Sequence, residues 1–319
     1  MKTIKIGTRG SKLALWQANY IQGLLTNENP EFSFEIVVIK TKGDKILDIA
    51  LSKIGDKGLF TKELEIALLN NEVDLVVHSM KDVPTTIEDL LCISSMPERE
   101  QTFDIFISNK SDTFAQLPSG SRVGTSSLRR KSQLLYARKD LEFIDIRGNV
   151  DTRLKKLDND EYDAIILAYA GIYRLGWSER IKEKLDFSLC LPAVGQGAVG
   201  IQIRKNDQYI ESLTKKINHL KTYFAVNTER AFLHKLEGGC QVPIGCQAYF
   251  TDNSFIIDGI VADVDGQEVL KHSINSPFIY RDLLLLDRQE QELKAIQFGE
   301  QLADIMLSHG AKNIIAKIR

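Results

Sequence analysis

The sequence predicts an α/β fold in two lobes, followed by a small α+β third domain. Three short apolar runs, at residues 4–7, 73–77 and 163–168, are typical of strands buried in a parallel sheet. Between these runs, apolar residues recur at the spacing of amphipathic helices. From residue 247 onward the pattern changes to the two-residue alternation of an antiparallel sheet. We therefore expect two lobes of alternating strands and helices, and then a separate sheet in the third domain.

The elements of each lobe follow from these patterns in order. Helices are expected after Ser11, after residues 125–127 and after Asn149, because Ser, Thr and Asn are favoured N-caps. Further helices are expected at residues 63–70, 218–236 and 288–308, and strands at residues 4–7, 34–40, 73–77, 103–108, 122–124, 142–146 and 163–168. Residues 247–275 are expected to form a meander, and residues 313–318 a last strand.

Two glycine-containing segments connect these elements. Residues 191–203 are glycine-rich and then strand-like, and we expect them to return the chain to the first lobe. Residues 41–60 contain four lysines and three glycines, which predicts either a solvated loop or a lid. The resulting division is domain 1 at residues 1–97 with 198–216, domain 2 at 101–193 and domain 3 at 218–319.

Composition excludes several classes of protein. The net charge is −2, so the chain lacks the overall basic charge of a nucleic-acid-binding protein, although residues 122–153 hold eight basic and four acidic residues. No apolar run is long enough for a membrane span or a signal peptide. The four cysteines, Cys92, Cys190, Cys240 and Cys246, do not have metal-site spacing. We therefore expect a cytoplasmic protein with reduced thiols, without a metal, a membrane partner or a nucleic-acid partner.

Polar residues follow two of the predicted strands of the first lobe. Arg9 and Ser11 lie where a strand ends and a helix begins, a junction that suits an anion. Ser79, Lys81 and Asp82 follow another strand, where open α/β sheets bind ligands. Asp82 could stabilise a developing positive charge, or it could form a surface ion pair with Lys81. His78 could be catalytic or a buried, hydrogen-bonded residue.

The arginines of the second lobe are placed in a similar way. Arg129 and Arg130 fall in the first turn of a helix, where cations oppose the helix dipole. We interpret this placement as an anion site, and the alternative is a solvated helix face. Arg147, Arg153 and Arg174 follow further predicted strands.

Cys240 lies in the sequence Glu-Gly-Gly-Cys-Gln-Val-Pro. Glycine allows unusual backbone conformations and Pro243 stiffens the following chain, so the thiol could be presented on a loop. Our hypothesis is that a group is attached to this sulfur and that the arginines bind that group. The alternative is an inert loop thiol.

Five motifs, taken together, resemble the porphobilinogen deaminase (hydroxymethylbilane synthase) family. They are Lys-Gly-Leu-Phe at 57–60, His-Ser-Met-Lys-Asp-Val-Pro at 78–84, Gly-Thr-Ser-Ser-Leu-Arg-Arg at 124–130, Leu-Pro-Ala-Val-Gly-Gln-Gly at 191–197, and Glu-Gly-Gly-Cys-Gln-Val-Pro-Ile-Gly at 237–245. Arg-Gly-Asn-Val at 147–150 adds to the resemblance. The motifs occur in the family's order along nearly the whole chain.

The resemblance implies a fold and an activity. The first two domains would be lobes like those of type II periplasmic binding proteins, and the third would carry the cofactor cysteine. Cys240 would hold a dipyrromethane through a thioether. The enzyme would condense four molecules of porphobilinogen onto this cofactor, with loss of ammonia, and release hydroxymethylbilane. The resemblance also suggests a monomer and hand-over of the product to uroporphyrinogen-III synthase.

The resemblance assigns roles to the residues singled out above. Asp82 matches the catalytic carboxylate, which would stabilise positive charge on pyrrole nitrogens. Each pyrrole unit carries an acetate and a propionate, which suit the planar fork of arginine. Cofactor contacts would come from Ser79, Lys81, Asp82, Thr125, Ser127, Arg129, Arg130 and Arg147, and substrate contacts from Arg9, Ser11, Arg147, Arg153 and Arg174.

Two other functions remain open from the residues alone. A non-catalytic solute-binding protein for a small polyanion would also have two α/β lobes, but the predicted lack of a signal peptide and the Cys240 loop argue against it. A nucleic-acid-binding protein could use the basic residues 122–156, but that segment lacks an aromatic stacking platform.

Overall fold

The computed structural model describes residues 2–45, 58–236 and 242–318. By internal contacts the chain divides into two compact units. One unit contains residues 1–47, 56–100 and 195–223, and we call its described part the first lobe. Of the described residues, the other contains 101–194, 224–236 and 242–318, and within it we call residues 101–194 the second lobe and the described residues from 224 onward the third domain.

The first lobe is built on a five-stranded mixed sheet. Its strands are β1 (Thr3–Thr8), β2 (Ser33–Val38), β3 (Leu75–Ser79), β4 (Leu91–Ser95) and β10 (Val199–Arg204), in the spatial order β2-β1-β3-β10-β4. β1 is parallel to β2 and β3, whereas β10 is antiparallel to β3 and β4. The glycine-rich segment before β10 thus returns the chain to this sheet, as predicted.

The helices of the first lobe cover both faces of its sheet. They are α1 (Lys12–Glu28), α2 (Lys42–Lys45), α3 (Lys62–Leu69) and α7 (Gln208–Thr214). Ile21 and Leu25 of α1 pack with Ile4 and Ile6 of β1 on one face. On the other face, Leu64 and Leu68 of α3 pack with Val76 of β3. Burial on both faces explains why these strands are apolar runs rather than alternating patterns.

The second lobe repeats the same strand order. Its strands are β5 (Asp104–Ser108), β6 (Arg122–Gly124), β7 (Glu142–Ile144), β8 (Ala164–Ala168) and β9 (Glu183–Lys184), in the order β7-β6-β8-β5-β9. β6 is parallel to β7 and β8, and β5 is antiparallel to β8 and β9. The helices are α4 (Leu128–Ala137), α5 (Val150–Asp158) and α6 (Tyr169–Arg174). In position, β5 is therefore the counterpart of β10.

The third domain packs helices against a three-stranded antiparallel meander. Its strands are β11 (Ile244–Phe250), β12 (Phe255–Ala262) and β13 (Val269–Ser276), and its helices are α8 (Leu220–Lys235, which begins in the first lobe), α9 (Tyr280–Leu284), α10 (Arg288–Met306) and α11 (Lys312–Ala316). Its core is aromatic: the ring centroids of Phe224 and Phe255 lie 5.0 Å apart, and those of Phe255 and Phe298 lie 5.3 Å apart.

The predicted fold class is confirmed, and one predicted element is wrong. The two α/β lobes with mixed sheets and the small α+β domain are present. The expected strand at residues 313–318 is instead the helix α11, which follows a π-helical turn at Leu307–Ala311. Ile314 and Ile315 are both buried. A strand would point adjacent side chains to opposite faces, whereas helical packing here buries both. The short strands β4 and β9, not predicted, lie at sheet edges.

Candidate active site

The candidate site of the first lobe lies where two parallel strands end. The carboxyl ends of β1 and β3 meet at one edge of the sheet. Ser11 is the N-cap of α1, and its hydroxyl accepts a hydrogen bond from the Ala14 N–H at 3.2 Å. After β3, a 3-10 turn at Met80–Asp82 redirects the chain. Arg9, Ser11, Ser79 and Asp82, which were predicted from separate segments, line one pocket.

Asp82 is the exposed carboxylate of this pocket. Among the described residues, it has no hydrogen bond and no ion pair, so the surface pair with Lys81 is not formed. The guanidinium of Arg9 lies over the Phe60 ring, 4.1 Å from its centroid. This stacking holds the Arg9 guanidinium against a ring that lines the same pocket as Asp82. Asp82 therefore remains available to a ligand.

His78 has a structural partner. Its side chain is 5% exposed, and its Nε2 lies 2.8 Å from Oε1 of Gln202. The Gln202 amide donates in turn to Glu65 at 3.0 Å. The structure thus shows the buried, hydrogen-bonded histidine that was one of the two interpretations.

The turn that carries Asp82 is supported by the glycine-rich segment before β10. The Met80 N–H donates to the Ala198 carbonyl at 3.0 Å. A Cβ at Gly195, where φ is +70°, would come within 3.0 Å of the Met80 backbone, and one at Gly200 would clash with the Met80 sulfur. Glycine is required at Gly195, where φ is positive and the Met80 backbone approaches closely, whereas at Gly200 the Met80 side chain occupies the space that a Cβ would take.

The second lobe places its arginines at the equivalent edge. β6, β7 and β8 are parallel, so the chain segments that follow them, with Thr125, Arg147 and Arg174, begin at one edge. Ser127 caps α4 and accepts from the Arg130 N–H at 3.4 Å, and Thr125 accepts from the Ser127 N–H at 3.2 Å. Arg153 donates to the Gly148 carbonyl at 2.8 Å, which ties α5 to the turn that carries Arg147.

Arg129 and Arg130 are not on a solvated helix face, because each is only 6% exposed. Both bind Asp104, the first residue of β5, which is fully buried. Arg129 Nη1 donates to Asp104 at 2.5 Å, and Arg130 donates to it through Nε at 3.0 Å and Nη2 at 2.7 Å. An anion does compensate the two cations, as expected from their position on α4, but this first anion belongs to the chain itself.

Asp104 stays ionised in this buried position. Burial alone would raise its pKa, but the charges and hydrogen bonds of Arg129 and Arg130 outweigh burial and hold the pKa of Asp104 well below its usual range. Two arginines and one carboxylate leave a net positive charge. The Nε of Arg129 has no acceptor within the described residues. The cluster therefore fits a further acidic group, such as an acid side chain of a dipyrromethane.

The other predicted residues fall in three places. Lys81 is exposed beside Asp82, and Arg174 is 8% exposed at the end of α6. Cys240 and Lys57 lie outside the described residues, as does most of the predicted lid. Sequence analysis missed Gln17, Phe60 and Thr61 in the first pocket, and Asp104 and Gln133 in the arginine cluster. The sequence signal that could have identified Asp104 is its position as the one acidic residue, at the start of an apolar strand.

The chain matches two family models along most of its length. A model described as "Porphobilinogen deaminase, dipyromethane cofactor binding domain" matches residues 4–212, and "Porphobilinogen deaminase, C-terminal domain" matches residues 223–308. The chain belongs to the porphobilinogen deaminase family. Porphobilinogen deaminase of Carboxydothermus hydrogenoformans is 49% identical over 318 residues, which cover 100% of this chain and 98% of that protein. Porphobilinogen deaminase of Moorella thermoacetica is 47% identical over 319 residues, which cover 100% and 97%.

Likeness to other solved structures is distant. The methionine-binding protein MetQ aligns with a TM-score of 0.42 at 14% identity, over 71% of this chain and 93% of that chain. A similarity this low supports no argument about a ligand.

Family membership establishes the activity. The chain is a transferase that condenses four porphobilinogen molecules stepwise, with loss of ammonia, onto a dipyrromethane cofactor, and then releases the linear tetrapyrrole hydroxymethylbilane. The enzyme thus serves tetrapyrrole and heme biosynthesis. Within residues 2–45, 58–236 and 242–318, no helix is long and apolar enough to span a membrane, and no cluster of side chains is suited to a metal ion.

Proposed function

We propose that Asp82 is the catalytic carboxylate and that Cys240 carries the dipyrromethane through a thioether. The observation that supports the first part is the exposed Asp82 carboxylate, which has no partner among the described residues and lies in a pocket with Arg9 and Ser11. A carboxylate that is not already neutralised can stabilise positive charge where it develops on a pyrrole N–H. It can also accept the proton that a newly joined pyrrole ring releases.

Arg9, Ser11, Arg153 and Arg174 would bind the acid side chains of porphobilinogen, and Arg147 would contact both substrate and cofactor. Arginine forms bidentate, charge-assisted hydrogen bonds with carboxylates, each worth about 1.5–3 kcal/mol. Ser79, Lys81, Thr125, Ser127, Arg129 and Arg130 would hold the cofactor together with Asp82. When bound, the dipyrromethane supplies the pyrrole carbon to which the first substrate unit is joined.

The three described cysteines support the assignment of the thioether to Cys240. Cys190 and Cys246 are fully buried, and burial raises the pKa of the Cys190 thiol to about 12. A buried thiol with a raised pKa is a poor nucleophile. Cys92 lies in β4 and is half-buried. These thiols are therefore internal controls for labelling.

The test is an intact mass of the purified chain, followed by peptide mapping. We expect the added mass of two linked pyrroles on the Cys240 peptide, either as purified or after incubation with porphobilinogen. The Cys246 peptide should remain unmodified. Attachment at another cysteine, or no attachment after incubation, would contradict the assignment.

The remaining proposals concern organisation. We propose three domains, at residues 1–97 with 198–216, 101–193 and 218–319, which is supported by the three separate sheets. We further propose a cytoplasmic monomer that passes its product to uroporphyrinogen-III synthase. Cys92, Cys190 and Cys246 form no disulfide within the described residues, which fits a reducing compartment. Light scattering after size-exclusion chromatography tests the monomer: a mass of about one chain, 36.0 kDa, is expected.

A further inference from the structure

We propose that Asp104 is a positioning residue for the cofactor site: it orients Arg129 and Arg130 and, through Arg129, the chain segment against which the strand following Cys240 packs. This inference deepens the proposed function and rests on the attachment of the cofactor at Cys240. Asp104 lies in the second lobe, and the strand concerned, β11, lies in the third domain of the same compact unit.

The first step is the bond between Asp104 and the two arginines. Asp104 uses both carboxylate oxygens: Oδ2 accepts from Arg129, and Oδ1 accepts from two nitrogens of Arg130. The remaining nitrogen of Arg130, Nη1, donates to the Ile166 carbonyl at 3.0 Å. Arg130 is therefore held at all three nitrogens, and its guanidinium plane is fixed against β8.

The second step leads from Arg129 to the loop at Leu191 and Pro192, which contacts β11 of the third domain. The same Nη1 that binds Asp104 also donates to the Leu191 carbonyl at 2.7 Å. Gln133, one turn further along α4, closes a clamp on Leu191: its amide donates to the Leu191 carbonyl at 3.1 Å and accepts from the Leu191 N–H at 2.8 Å. Leu191 is thereby held at both backbone groups by α4.

The third step joins this loop to β11. The Pro192 carbonyl accepts a hydrogen bond from the Cys246 N–H at 3.0 Å. A Cβ at Gly245 would lie only 3.0 Å from both the Leu191 and the Pro192 carbonyl oxygens. Gly245 therefore allows β11 to pack directly on this segment. The described chain resumes at Val242, two residues after Cys240 in sequence.

The charges of Asp104, Arg129 and Arg130 indicate that the cluster as a whole serves to orient the two arginines rather than to add net stability to the fold. Replacing a buried ion cluster by apolar residues is often neutral for stability, so a buried carboxylate between two arginines is weak evidence for a stabilising role. Without Asp104, two buried guanidinium groups would repel each other and lose their common acceptor. With it, one net positive charge and the Arg129 Nε remain for an acid group of the cofactor.

The experiment compares cofactor loading in three full-length variants. Asp104→Asn keeps the shape and removes the charge, whereas Asp104→Glu keeps the charge in a site without spare room. Asp163→Asn is the matched control, because Asp163 binds Lys110 and Arg122 at the opposite end of β8, away from Arg129 and Arg130. Each variant is incubated with porphobilinogen below its unfolding temperature. Intact mass then gives the rate at which the two-pyrrole mass appears on Cys240.

We expect Asp104→Asn to load about tenfold to hundredfold more slowly than the wild type, the usual effect of misplaced reacting groups. Asp163→Asn should load at nearly the wild-type rate even if it unfolds at a similar temperature. Asp104→Glu should load faster than Asp104→Asn although it is no more stable. Loading that follows the unfolding temperature across the three variants would overturn the inference.

Two further outcomes are decisive. If Asp104→Asn does not fold, Asp104→Glu and Gln133→Ala take its place, and wild-type loading rates in both would overturn the inference. If the wild type itself does not load at Cys240, the proposed attachment fails, which is distinguishable because that result does not depend on Asp104.

Discussion

Asp82 and Asp104 occupy the same edge of two sheets that share one strand order, but their surroundings are opposite. In the first lobe, Asp82 follows β3, is exposed, and has no partner among the described residues. In the second lobe, Asp104 begins β5 opposite Ala168 of β8, is fully buried, and binds two arginines. The position equivalent to Asp104 in the first lobe is Val199 of β10, opposite Ser79.

The difference shows that two lobes with the same topology can place opposite charges at the equivalent edge of their sheets. Val199, at the start of β10, is apolar, so the first lobe has no carboxylate at the position equivalent to Asp104, and its Asp82 is exposed in the pocket. An acid at the start of β5 draws the arginines of α4 into the interior, because a buried carboxylate requires paired charges. The first lobe thus presents a carboxylate, and the second an excess of positive charge that suits carboxylates.

The largest expected effect is the loss of stability in Asp104→Asn. Removing one partner of a buried ion pair leaves uncompensated charge and costs about 3–5 kcal/mol. Urea unfolding of the full chain, followed by circular dichroism, measures this loss. The exposed Asp82→Asn serves as the comparison, since a surface change alters stability by about 0.5 kcal/mol or less. Equal stabilities of the two variants would remove the contrast between the carboxylates.

Asp82→Asn should instead lower turnover. Loss of a group that stabilises charge in the transition state typically costs about a hundredfold to a thousandfold in rate. The measurement is the initial rate of hydroxymethylbilane formation by cofactor-loaded protein. Asp89→Asn is the matched control, because Asp89 is exposed on the segment after the same turn but does not line the pocket. Near-normal turnover in Asp82→Asn would exclude the catalytic role.

Acid should weaken the second lobe through Asp163. Burial alone would raise its pKa, but hydrogen bonds from Lys110 and Arg122 lower the pKa of Asp163 to about 2 from an ordinary 3.8. Because the folded pKa lies below the unfolded one, the contribution is complete above the ordinary value and is lost as the pH falls towards 2. We expect the urea midpoint to drop over this range in the wild type and to drop less in Asp163→Asn. A parallel drop in both would contradict this reading.

The smallest expected effect is the loss of stability when either of the two helix caps is removed. Ser11 and Ser127 occupy equivalent positions and each accepts the N–H three residues later. Ser11→Ala and Ser127→Ala should each lose about 1 kcal/mol of stability. Urea unfolding of each variant measures the loss. Ser126→Ala is the control for losing a serine hydrogen bond that does not cap a helix, because the Ser126 hydroxyl donates to the Ile146 carbonyl. A loss in only one of the two caps would break the equivalence of the lobes.

Local signals were sufficient for most of the elements. The apolar runs of β1, β3 and β8, the caps Ser11 and Ser127, and the alternation of the meander all depend on neighbouring residues, so their patterns are readable in the sequence. The last helix was misjudged because a short segment with two adjacent buried isoleucines lacks a clear period. Its conformation depends on the helices and strands against which it packs.

The sequence by itself determined the family, the alternation of strands and helices in two lobes, and the residues at the strand ends, since each is encoded in contiguous motifs. Only the tertiary structure decided which charges are neutralised. Asp104 is far from Arg129 in sequence, and only the pairing of β5 with β8 places it under the arginines of α4. Asp82 lies next to Lys81 in sequence, but after β3 Asp82 forms no ion pair with it. Burial and pairing of charge depend on contacts between distant segments, and these exist only once the sheet has formed.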